Sequence, residues 1–481
     1  MARLVYRLIL SGVVALGLAL GAGVLLGRAD AAGPSSLGSV AFVKDGDIWV
    51  EDLPAGAAQR LTRDGQNDTP LWSPSGQWLA FRKVGQRQLW VTRRNGSGAH
   101  AVEGATVDST DPYDTIAWSP TADLLAYVIK GSLYVADADG GDRRLLIRAQ
   151  DSRAPFGVSS LAWSLDGAWL ACVETEPLTP GPPGQAQSPH VTLWRIRADG
   201  GGKTLLVDAG KPSAYGLIVA GWSPDGADVL YWIDPVFSAS LLADGTSLLA
   251  VPASGGTPTR VVRWMLAHRD FLSWSPDGAR LAVAEGAGRI AWRDKAIAVA
   301  TLNGSVQTIS QTNRADLFPA WSPDGRWIAF AGAPSSSANV VGGQPALAAM
   351  AKRRIWVMAA NGANQHSLTN DPAYRDERPE WSADGNWILF PRLRGEQAQL
   401  WLMRADGSDA RRVVDELGPG PGLFGYYGYL DWARLYDWSG RSRLATDKLP
   451  PTGGSPITML LMASALGVAL IVGGIGARPR S

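Results

Sequence analysis

The sequence predicts an all-β chain built from repeated four-stranded antiparallel sheets, and three observations carry this prediction. One ten-residue phrase recurs seven times at spacings of 45 to 60 residues. Tryptophan is abundant, at 21 of 481 residues, and 56 glycines and 31 prolines provide for tight turns. Such a composition is typical of many short strands joined by turns rather than of long helices. A repeat with a period of this length determines the whole fold.

Each copy of the phrase predicts a β-hairpin. The seven copies are WSPSGQWLAF from Trp72, WSPTADLLAY from Trp118, WSLDGAWLAC from Trp163, WSPDGADVLY from Trp222, WSPDGARLAV from Trp274, WSPDGRWIAF from Trp321 and WSADGNWILF from Trp381. In the sixth copy Pro323 fixes one backbone angle of a turn, and Gly325 tolerates the conformation that closes it. The strand after this turn is apolar on both faces, so it must be covered on both faces.

A second hairpin follows each copy. The turn pairs are Asn95-Gly96, Asp139-Gly140, Asp199-Gly200, Ser254-Gly255, Asn303-Gly304, Asn361-Gly362 and Asp406-Gly407. Asn-Gly or Asp-Gly between apolar alternating runs is the strongest short-range hairpin signal. Each repeat therefore contains four antiparallel strands and is interpreted as one blade of a β-propeller.

The two ends of the repeat region complement each other. Residues 38–62 have the pattern of the second, third and fourth strands of a blade, while residues 428–435, with Trp432 in the Trp position, are predicted to be a lone first strand. Pairing the two gives eight blades closed by a C-terminal strand, which removes open sheet edges. Seven blades are the alternative, if the blade around residues 231–253 is degenerate. The predicted propeller covers residues 36–435, and a tether follows at 436–448.

The repeated tryptophans and the single cysteine are predicted to serve packing. An indole side chain has about 150–250 Å² to bury, and the tryptophans are expected between blades rather than as ligand platforms. Cys172 takes the place that Phe81 and Phe330 have in other copies, so it is predicted to be a small buried apolar residue. With one cysteine, no internal disulfide can form.

Over residues 38–435 the chain resembles the WD40-like (PD40) repeats of TolB-type propellers, whose consensus is close to WSPDGRWIAF. The resemblance implies the propeller fold. It implies little about activity, because such folds host many functions. TolB itself belongs to a periplasmic envelope system, and the C-terminal tail of this chain suggests a cell wall instead, so that role is not transferred.

The N-terminal end predicts export. Residues 1–32 place Arg3 and Arg7 before an apolar run, and Ala29-Asp30-Ala31 follows that run. This is the order of a secretory signal peptide. An uncleaved N-terminal anchor is the alternative, because the apolar run is long.

The C-terminal end predicts anchoring at the cell surface. Residues 457–476 are 20 uncharged residues, enough for a helix across a bilayer core of about 30 Å, and a basic tail follows at 477–481. The motif before it is Leu449, Pro450, Pro451, Thr452 and Gly453. This tail resembles an LPxTG cell-wall sorting signal, which implies that a sortase cuts after Thr452 and joins it to the wall. A retained membrane helix is the alternative.

Charge and motifs exclude several function classes. The 45 Lys and Arg residues balance 44 Asp and Glu residues, so no nucleic-acid partner is expected. The chain contains no G-x-S-x-G, H-E-x-x-H or phosphate-loop motif. The four histidines lack zinc spacing, and residues 137–142, DADGGD, lack the distal glutamate of a calcium loop. We therefore expect no cofactor and no metal ligands, with a cation bound in the channel kept as an open alternative.

A binding site is predicted where first strands enter the channel. In a four-stranded meander the first and third turns share one face, and the second turn and the connection to the next blade share the other, which we call the loop-rich face. Acids and aromatics recur in the connections leading into first strands: Asp68, Asp114, Asp270, Asp316, Glu377, Tyr113, Phe156, Tyr215 and Tyr374. We expect them to crowd the channel mouth and to bind a cation, a glycan or a peptide end. The alternative is that the aspartates cap turns.

These observations favour a binding module over an enzyme. The leading hypothesis is an extracytoplasmic, wall- or membrane-anchored propeller that presents its loop-rich face to a protein, peptide or glycan. The alternative is a propeller lyase or hydrolase acting on polysaccharide or peptide, because a channel active site is assembled from scattered residues without a motif. A sensor that signals across the membrane is a third hypothesis, and it requires the C-terminal helix to be retained.

Overall fold

The computed structural model describes residues 37–106, 115–149, 157–176, 189–211, 213, 215–235, 245–311, 313–338, 343–418 and 427–443. All described strands lie in the part of the chain that begins at Gly38. The predicted N-terminal segment, the LPxTG-like motif, the hydrophobic segment 457–476 and the basic tail lie outside the described residues. Within the described ranges, no helix has the length and apolarity needed to cross a bilayer.

The described strands form consecutive antiparallel meanders, which we call units and number along the chain. Unit 1 contains β1 (Ser39–Lys44), β2 (Asp47–Asp52) and β3 (Gln59–Arg60). Unit 2 contains β4 (Asn67–Trp72), β5 (Trp78–Lys83), β6 (Gln88–Arg93) and β7 (His100–Thr106). Unit 3 contains β8 (Ile116–Trp118), β9 (Leu124–Ile129), β10 (Ser132–Asp137) and β11 (Arg144–Ile147). Unit 4 contains β12 (Gly157–Trp163), β13 (Trp169–Glu176), β14 (His190–Arg197) and β15 (Thr204–Asp208).

The second half of the chain continues the pattern. Unit 5 contains β16 (Tyr215–Trp222), β17 (Asp228–Pro235), β18 (Thr246–Pro252) and β19 (Thr259–Met265). Unit 6 contains β20 (Leu272–Trp274), β21 (Leu281–Glu285), β22 (Ala296–Ala300) and β23 (Val306–Thr308). Unit 7 contains β24 (Arg314–Trp321), β25 (Trp327–Pro334), β26 (Arg354–Ala359) and β27 (His366–Ser367), with helix α1 (Gln344–Met350) before β26. Unit 8 contains β28 (Arg375–Asp376), β29 (Glu380–Trp381), β30 (Trp387–Arg394), β31 (Gln397–Arg404) and β32 (Arg411–Leu417). The last strand, β33 (Tyr436–Trp438), belongs to unit 1.

Both predicted hairpins of the repeat are present in the sheets. In unit 7, Trp321 of β24 pairs with Ile328 of β25 across the first hairpin, and Trp356 of β26 pairs with Ser367 of β27 across the second. Units 5 and 6 form one sheet because Met265 of β19 pairs with Glu285 of β21. In unit 8 the first strand is divided, and both β28 and β29 pair with β30.

The SPDG turns are held by their own side chains. The Ser322 hydroxyl donates to Asp324 Oδ1 at 2.6 Å and accepts from the Trp327 amide at 2.9 Å. Gly325 has φ +71°, and a Cβ there would lie 3.5 Å from Pro276 in the corresponding turn of unit 6. The short turns of successive units therefore pack against one another, which explains why the phrase is so uniform.

The repeated tryptophans bridge successive units. The Nε1 groups of Trp118, Trp163 and Trp222 each donate, at 3.0 Å, to the carbonyl of the residue that precedes the Trp of the preceding unit. Trp72, Trp163, Trp222, Trp321 and Trp381 are buried, while Trp118 and Trp274 are half-buried. The prediction that these side chains serve packing is confirmed. Cys172 is fully buried, as predicted, and burial raises the pKa of its thiol to about 12.

The strand that joins the two ends differs from the prediction. Sheet order β3-β2-β1-β33 confirms that a C-terminal strand completes unit 1. That strand is Tyr436–Trp438, in which Tyr436 pairs with Phe42 and Trp438 with Val40. The placement of Trp432 in a first strand is wrong, because Trp432 lies in a 3-10 turn, Trp432–Arg434. The predicted tether, 436–448, consequently begins inside the sheet. Trp438-Ser439 repeats the start of the phrase, and this was the signal for the correct register.

Candidate functional site at the channel mouth

Six of the predicted site residues lie in the described part of the chain: Asp68, Asp270, Asp316, Glu377, Tyr215 and Tyr374. Asp114, Tyr113 and Phe156 lie outside the described residues. The four described acids lie at, or a few residues before, the first strands of units 2, 6, 7 and 8. We call these positions and the side chains that contact them the mouth.

Arginines neutralise two of the acids from within their own units. Arg82 donates to both oxygens of Asp68, at 2.8 Å and 2.8 Å, and Arg434 approaches the same carboxylate at 3.3 Å. Arg314 forms an ion pair with Asp316 at 3.1 Å, and both side chains are buried. Bidentate arginine–carboxylate pairs fix geometry as well as charge. These carboxylates are therefore positioned acceptors rather than free anions.

Glu377 is the centre of a buried network. Its Oε1 accepts from Arg353 Nη1 at 2.5 Å and from Arg375 Nε at 2.6 Å, and its Oε2 accepts from Trp432 Nε1 at 3.0 Å. The side chains of Glu377 and Arg353 are both fully buried. Burial alone would raise the pKa of Glu377, but the charges of Arg375 and Arg353 hold it below its ordinary value. The carboxylate therefore stays ionised and accepts three hydrogen bonds.

Asp270 has the opposite character. Burial raises the pKa of Asp270 to about 7, although the charge of Arg378, 3.7 Å away, opposes this. The Tyr429 hydroxyl donates to the Asp270 carboxyl at 3.3 Å, and the Tyr429 ring stacks on His268 with centroids 3.5 Å apart. A carboxyl group that titrates near neutral pH beside a phenol and an imidazole can accept or donate a proton.

Arg269 also extends the mouth toward other units. Its Nη2 donates to the carbonyl of Leu161 in unit 4 at 2.9 Å and to the carbonyl of Val219 in unit 5 at 3.0 Å. Together with the contacts of Tyr429 and Trp432, this links backbone carbonyls of units 4 and 5 to side chains of units 6 to 8.

The two described tyrosines have contacts inside or next to their own units. Tyr374 packs on Trp401 with ring centroids 6.0 Å apart, and the Arg392 guanidinium lies 4.9 Å from its ring. Tyr215 packs against the apolar cluster of units 4 and 5. The structure thus brings Asp270 and Glu377 into contact with Tyr429 and Trp432, rather than with the aromatics that the sequence singled out.

Several mouth residues escaped the sequence analysis: Arg269, Arg353, Arg378, Tyr429, Trp432 and His268. The sequence does contain one signal that the acids have arginine partners, because Arg314 and Arg375 each stand two residues before an acid in the same connection. Tyr429 and Trp432 were missed because their segment was assigned to a strand. In the described ranges, no group of three His, Cys, Asp or Glu side chains is arranged to hold a metal ion.

No family model matches the chain. An Agrobacterium fabrum protein, uncharacterized protein Atu1656, is 26% identical over 194 residues, which are 40% of this chain and 57% of that protein. Tricorn protease homolog 1 of Streptomyces coelicolor is 24% identical over 304 residues, which are 59% of this chain and 25% of that protein. The chain thus spans just over half of the first relative and a quarter of the second.

Several solved structures are similar to this chain at low identity. Dihydro-heme d1 dehydrogenase NirN in complex with DHE is 14% identical, with a TM-score of 0.52, over 79% of this chain and 74% of that one. A putative TolB from Agrobacterium tumefaciens is 16% identical, with a TM-score of 0.34, over 79% of this chain and 88% of that one. Oligogalacturonate lyase in complex with manganese is 16% identical, with a TM-score of 0.46, over 76% and 96%. The NirN likeness and the repeated four-stranded sheets show a mostly β chain of the β-propeller fold, as the sequence predicts.

Proposed function

We propose that the protein is an exported β-propeller of eight blades, anchored at the cell surface, that binds a protein, peptide or glycan through its loop-rich face. The observation that carries this proposal is the mouth, where Glu377 and Asp270 accept hydrogen bonds from Trp432 and Tyr429. Positioned carboxylates and buried arginines at the start of first strands are suited to selecting a ligand by hydrogen bonding.

The eight-blade count follows from treating each unit as one blade. Unit 8 and unit 1 meet where the Gly418 amide donates to the Val43 carbonyl at 2.7 Å and the Ser442 amide donates to the Trp381 carbonyl at 2.6 Å. These contacts support a ring in which unit 8, the last along the chain, lies next to unit 1, the first.

The binding proposal is tested with the purified chain on panels of glycans and peptides. Saturable binding without product supports a binding module, and Asp68→Ala is expected to weaken that binding at least about tenfold, since a lost charged hydrogen bond is worth about 1.5–3 kcal/mol. Exposed Asp139→Ala, in a turn on the opposite face, is the matched control and should bind like the parent chain. Absence of saturable binding to every panel member would contradict the proposal.

A propeller enzyme is the second candidate, and one specific observation favours it. The pKa of Asp270 is raised to about 7 by burial beside His268 and Tyr429, an environment typical of general acids and bases. Turnover on a polysaccharide or peptide panel, lost in Asp270→Asn but kept in the exposed Asp139→Asn control, would favour the enzyme. Binding without turnover would favour the module.

Export and anchoring form a separate part of the proposal. They rest on the signal-like N-terminal segment and on the resemblance of residues 449–481 to a sorting signal. We propose that a sortase joins Thr452 to the cell wall, with membrane retention as the alternative. Mass spectrometry of the mature C-terminus tests this: a chain that ends at Thr452 supports sorting, and a chain that keeps residues 457–476 refutes both sorting and release of the helix.

A further inference from the structure

The connection between β32 and β33 begins and ends in contact with the same residue of unit 1, Val43. The Val43 carbonyl accepts from the Gly418 amide at 2.7 Å, and the Val43 amide donates to the Leu435 carbonyl at 2.8 Å. The connection from β32 to β33 could therefore be short. Instead, 16 residues separate Gly418 from Leu435. Loops whose two ends meet are frequently functional.

The described part of this connection lies in a built site made by other units. Its main chain is held by the Ala291 amide, which donates to the Tyr427 carbonyl at 3.0 Å, and by Arg353 Nη1, which donates to the Gly428 carbonyl at 2.9 Å. Arg353 is fully buried, and its Nη2 donates to the Ala291 carbonyl at 3.0 Å. The two main-chain contacts thus come from one linked pair of residues in units 6 and 7.

Two side chains of the segment bind carboxylates of the mouth. The Tyr429 hydroxyl donates to Asp270 of unit 6, and Trp432 Nε1 donates to Glu377 of unit 8 at 3.0 Å. The Tyr429 ring also meets Phe271 and Phe318 at centroid distances of 5.6 Å and 6.1 Å. Three features therefore recognise the segment: the Asp270 carboxyl accepts from its phenol, the Glu377 carboxylate accepts from its indole, and an aromatic pocket holds the Tyr429 ring.

A third position requires glycine. Gly428 has φ +87°, and a Cβ there would lie 2.8 Å from Met350 Sδ and 2.8 Å from Trp292 Cε3. Any L side chain would be strained in this conformation and would also collide with the pocket wall. The site thus selects the pattern Gly-Tyr-x-x-Trp, which residues 428–432 supply.

The acceptors do not depend on the segment for their placement. Glu377 is held by Arg375 at 2.6 Å and by Arg353 at 2.5 Å, within units 7 and 8. Asp270 belongs to a 3-10 turn, Arg269–Phe271, and Arg269 ties that turn to units 4 and 5. A framework that is positioned by its own units would remain in place after the segment left.

From these contacts we infer that the mouth is a recognition site for peptides of the pattern Gly-Tyr-x-x-Trp, and that residues 427–432 occupy it as an intramolecular stand-in which an external peptide displaces. This inference rests on the proposed binding function and names its ligand class. The segment competes as a tethered ligand, whose effective concentration is in the mM range for a short linker.

The test uses the full chain with residues 419–434 replaced by Gly-Ser-Gly-Ser, a linker long enough because both ends contact Val43. The probe is the synthetic peptide YGYLDWARL, residues 427–435, with blocked ends. Isothermal titration should show one peptide bound per replaced chain. The unaltered chain should bind the peptide at least about tenfold more weakly, because its own segment competes.

Peptide variants separate recognition from nonspecific binding. A peptide with Gly428→Ala should bind at least about tenfold more weakly, because its Cβ meets Met350 and Trp292. A peptide with Ala433→Ser is the matched control and should bind like the parent peptide, because Ala433 is exposed. Equal binding of the Gly428→Ala and parent peptides would overturn the inference.

A second chain variant covers the case in which the replaced chain does not fold. Trp432→Phe in the full chain keeps an aromatic ring and removes the donor to Glu377, so the tethered segment is weakened and peptide binding should become measurable. No saturable binding by either variant overturns the inference and makes the segment part of the core. Peptide binding combined with failure of every panel ligand would uphold the inference and refute the wider proposal of a glycan or protein partner.

Discussion

The indole of Trp381 in unit 8 donates to the carbonyl of Ala320 in unit 7, with an Nε1–O distance of 3.0 Å. Ala320 precedes Trp321, the Trp of its own unit, and the same relation joins Trp163 to Ala117 in units 4 and 3. In four of the copies, those of Trp118, Trp163, Trp222 and Trp381, the Trp is therefore both an apolar wedge and a hydrogen-bond donor across the boundary between units. At these positions the double role favours Trp over another large apolar residue.

Removing a Trp should be costly. Trp321→Ala is expected to lower the free energy of unfolding by roughly 3–5 kcal/mol, because a buried aromatic is lost and a cavity remains. Trp321 is 4% exposed and lies between units. Chemical denaturation measures the change, and exposed Trp264→Ala is the control, with an expected effect within about 0.5 kcal/mol. An unchanged unfolding curve for Trp321→Ala would contradict the packing role.

The hydrogen bond can be separated from the apolar contact by a pair of substitutions. Trp381→Phe should cost about 1 kcal/mol more than Trp321→Phe, because only the first leaves the carbonyl of a half-buried residue, Ala320, without this donor. The Trp381 donor contacts Ala320, whereas Trp321 Nε1 has no hydrogen-bond partner among the described residues. Unfolding free energies in urea decide the point, and equal losses for both variants would show that the hydrogen bond contributes nothing.

Glu377→Ala should destabilise the fold by about 3–5 kcal/mol, because Arg353 and Arg375 would keep buried charges without their partner. The side chains of Glu377 and Arg353 are fully buried, at 0% and 0% exposure. Exposed Glu396→Ala, in the same unit, is the control and should change little. Thermal and urea melting provide the measurement. Similar melting of both variants would refute the network as a stabilising element.

Stability should fall as pH rises from about 4 to about 7. Asp270 has a pKa of about 7 in the folded chain against 3.8 for an ordinary carboxyl, so the folded state holds a proton that the unfolded state releases in this range. Glu51, whose pKa burial raises to about 7, contributes with the same sign. Asp270→Asn should remove part of this pH-dependent loss of unfolding free energy, as much as about 4 kcal/mol over the whole range.

Unfolding free energies measured at several pH values test this dependence. Asp294→Asn, at an exposed aspartate, controls for the loss of a surface charge and should keep the slope of the parent chain. A parent chain whose stability rises between pH 4 and pH 7, or an Asp270→Asn variant with the full slope, would contradict the prediction.

Two truncations test the corrected closing strand. A chain that ends at Arg443 keeps β33 and should melt within a few degrees of the same chain extended to Lys448. A chain that ends at Leu435 loses β33 and exposes the edge of β1, which the pairs Phe42–Tyr436 and Val40–Trp438 otherwise cover. It should melt much earlier or aggregate. If both truncated chains melt alike, β33 is not needed to complete unit 1.

Local chemistry made most of the fold predictable. Turn residues such as Pro323 and Gly325 determine hairpins within a few positions, and alternation of apolar residues identifies the strands around them. The predicted closing strand lies six residues too early because Trp432 and Trp438 both follow an aspartate and a tyrosine or leucine, so their local sequences are similar. Apart from Ser439, which follows Trp438 as in the repeated phrase, only pairing with β1 distinguishes them, and pairing across the length of the chain is not encoded in either segment alone.

The mouth was only partly predictable for the same reason. Asp270 and Glu377 were singled out because acids recur before the Trp, but their partners come from distant parts of the chain. Trp432 reaches Glu377 across 55 positions, and Tyr429 reaches Asp270 across 159. The sequence by itself determined the repeat, its turns and the burial of its tryptophans, because each depends on neighbours a few residues away. The tertiary structure decided which residues converge at the mouth, because the stacking of the units brings together side chains that no local pattern connects.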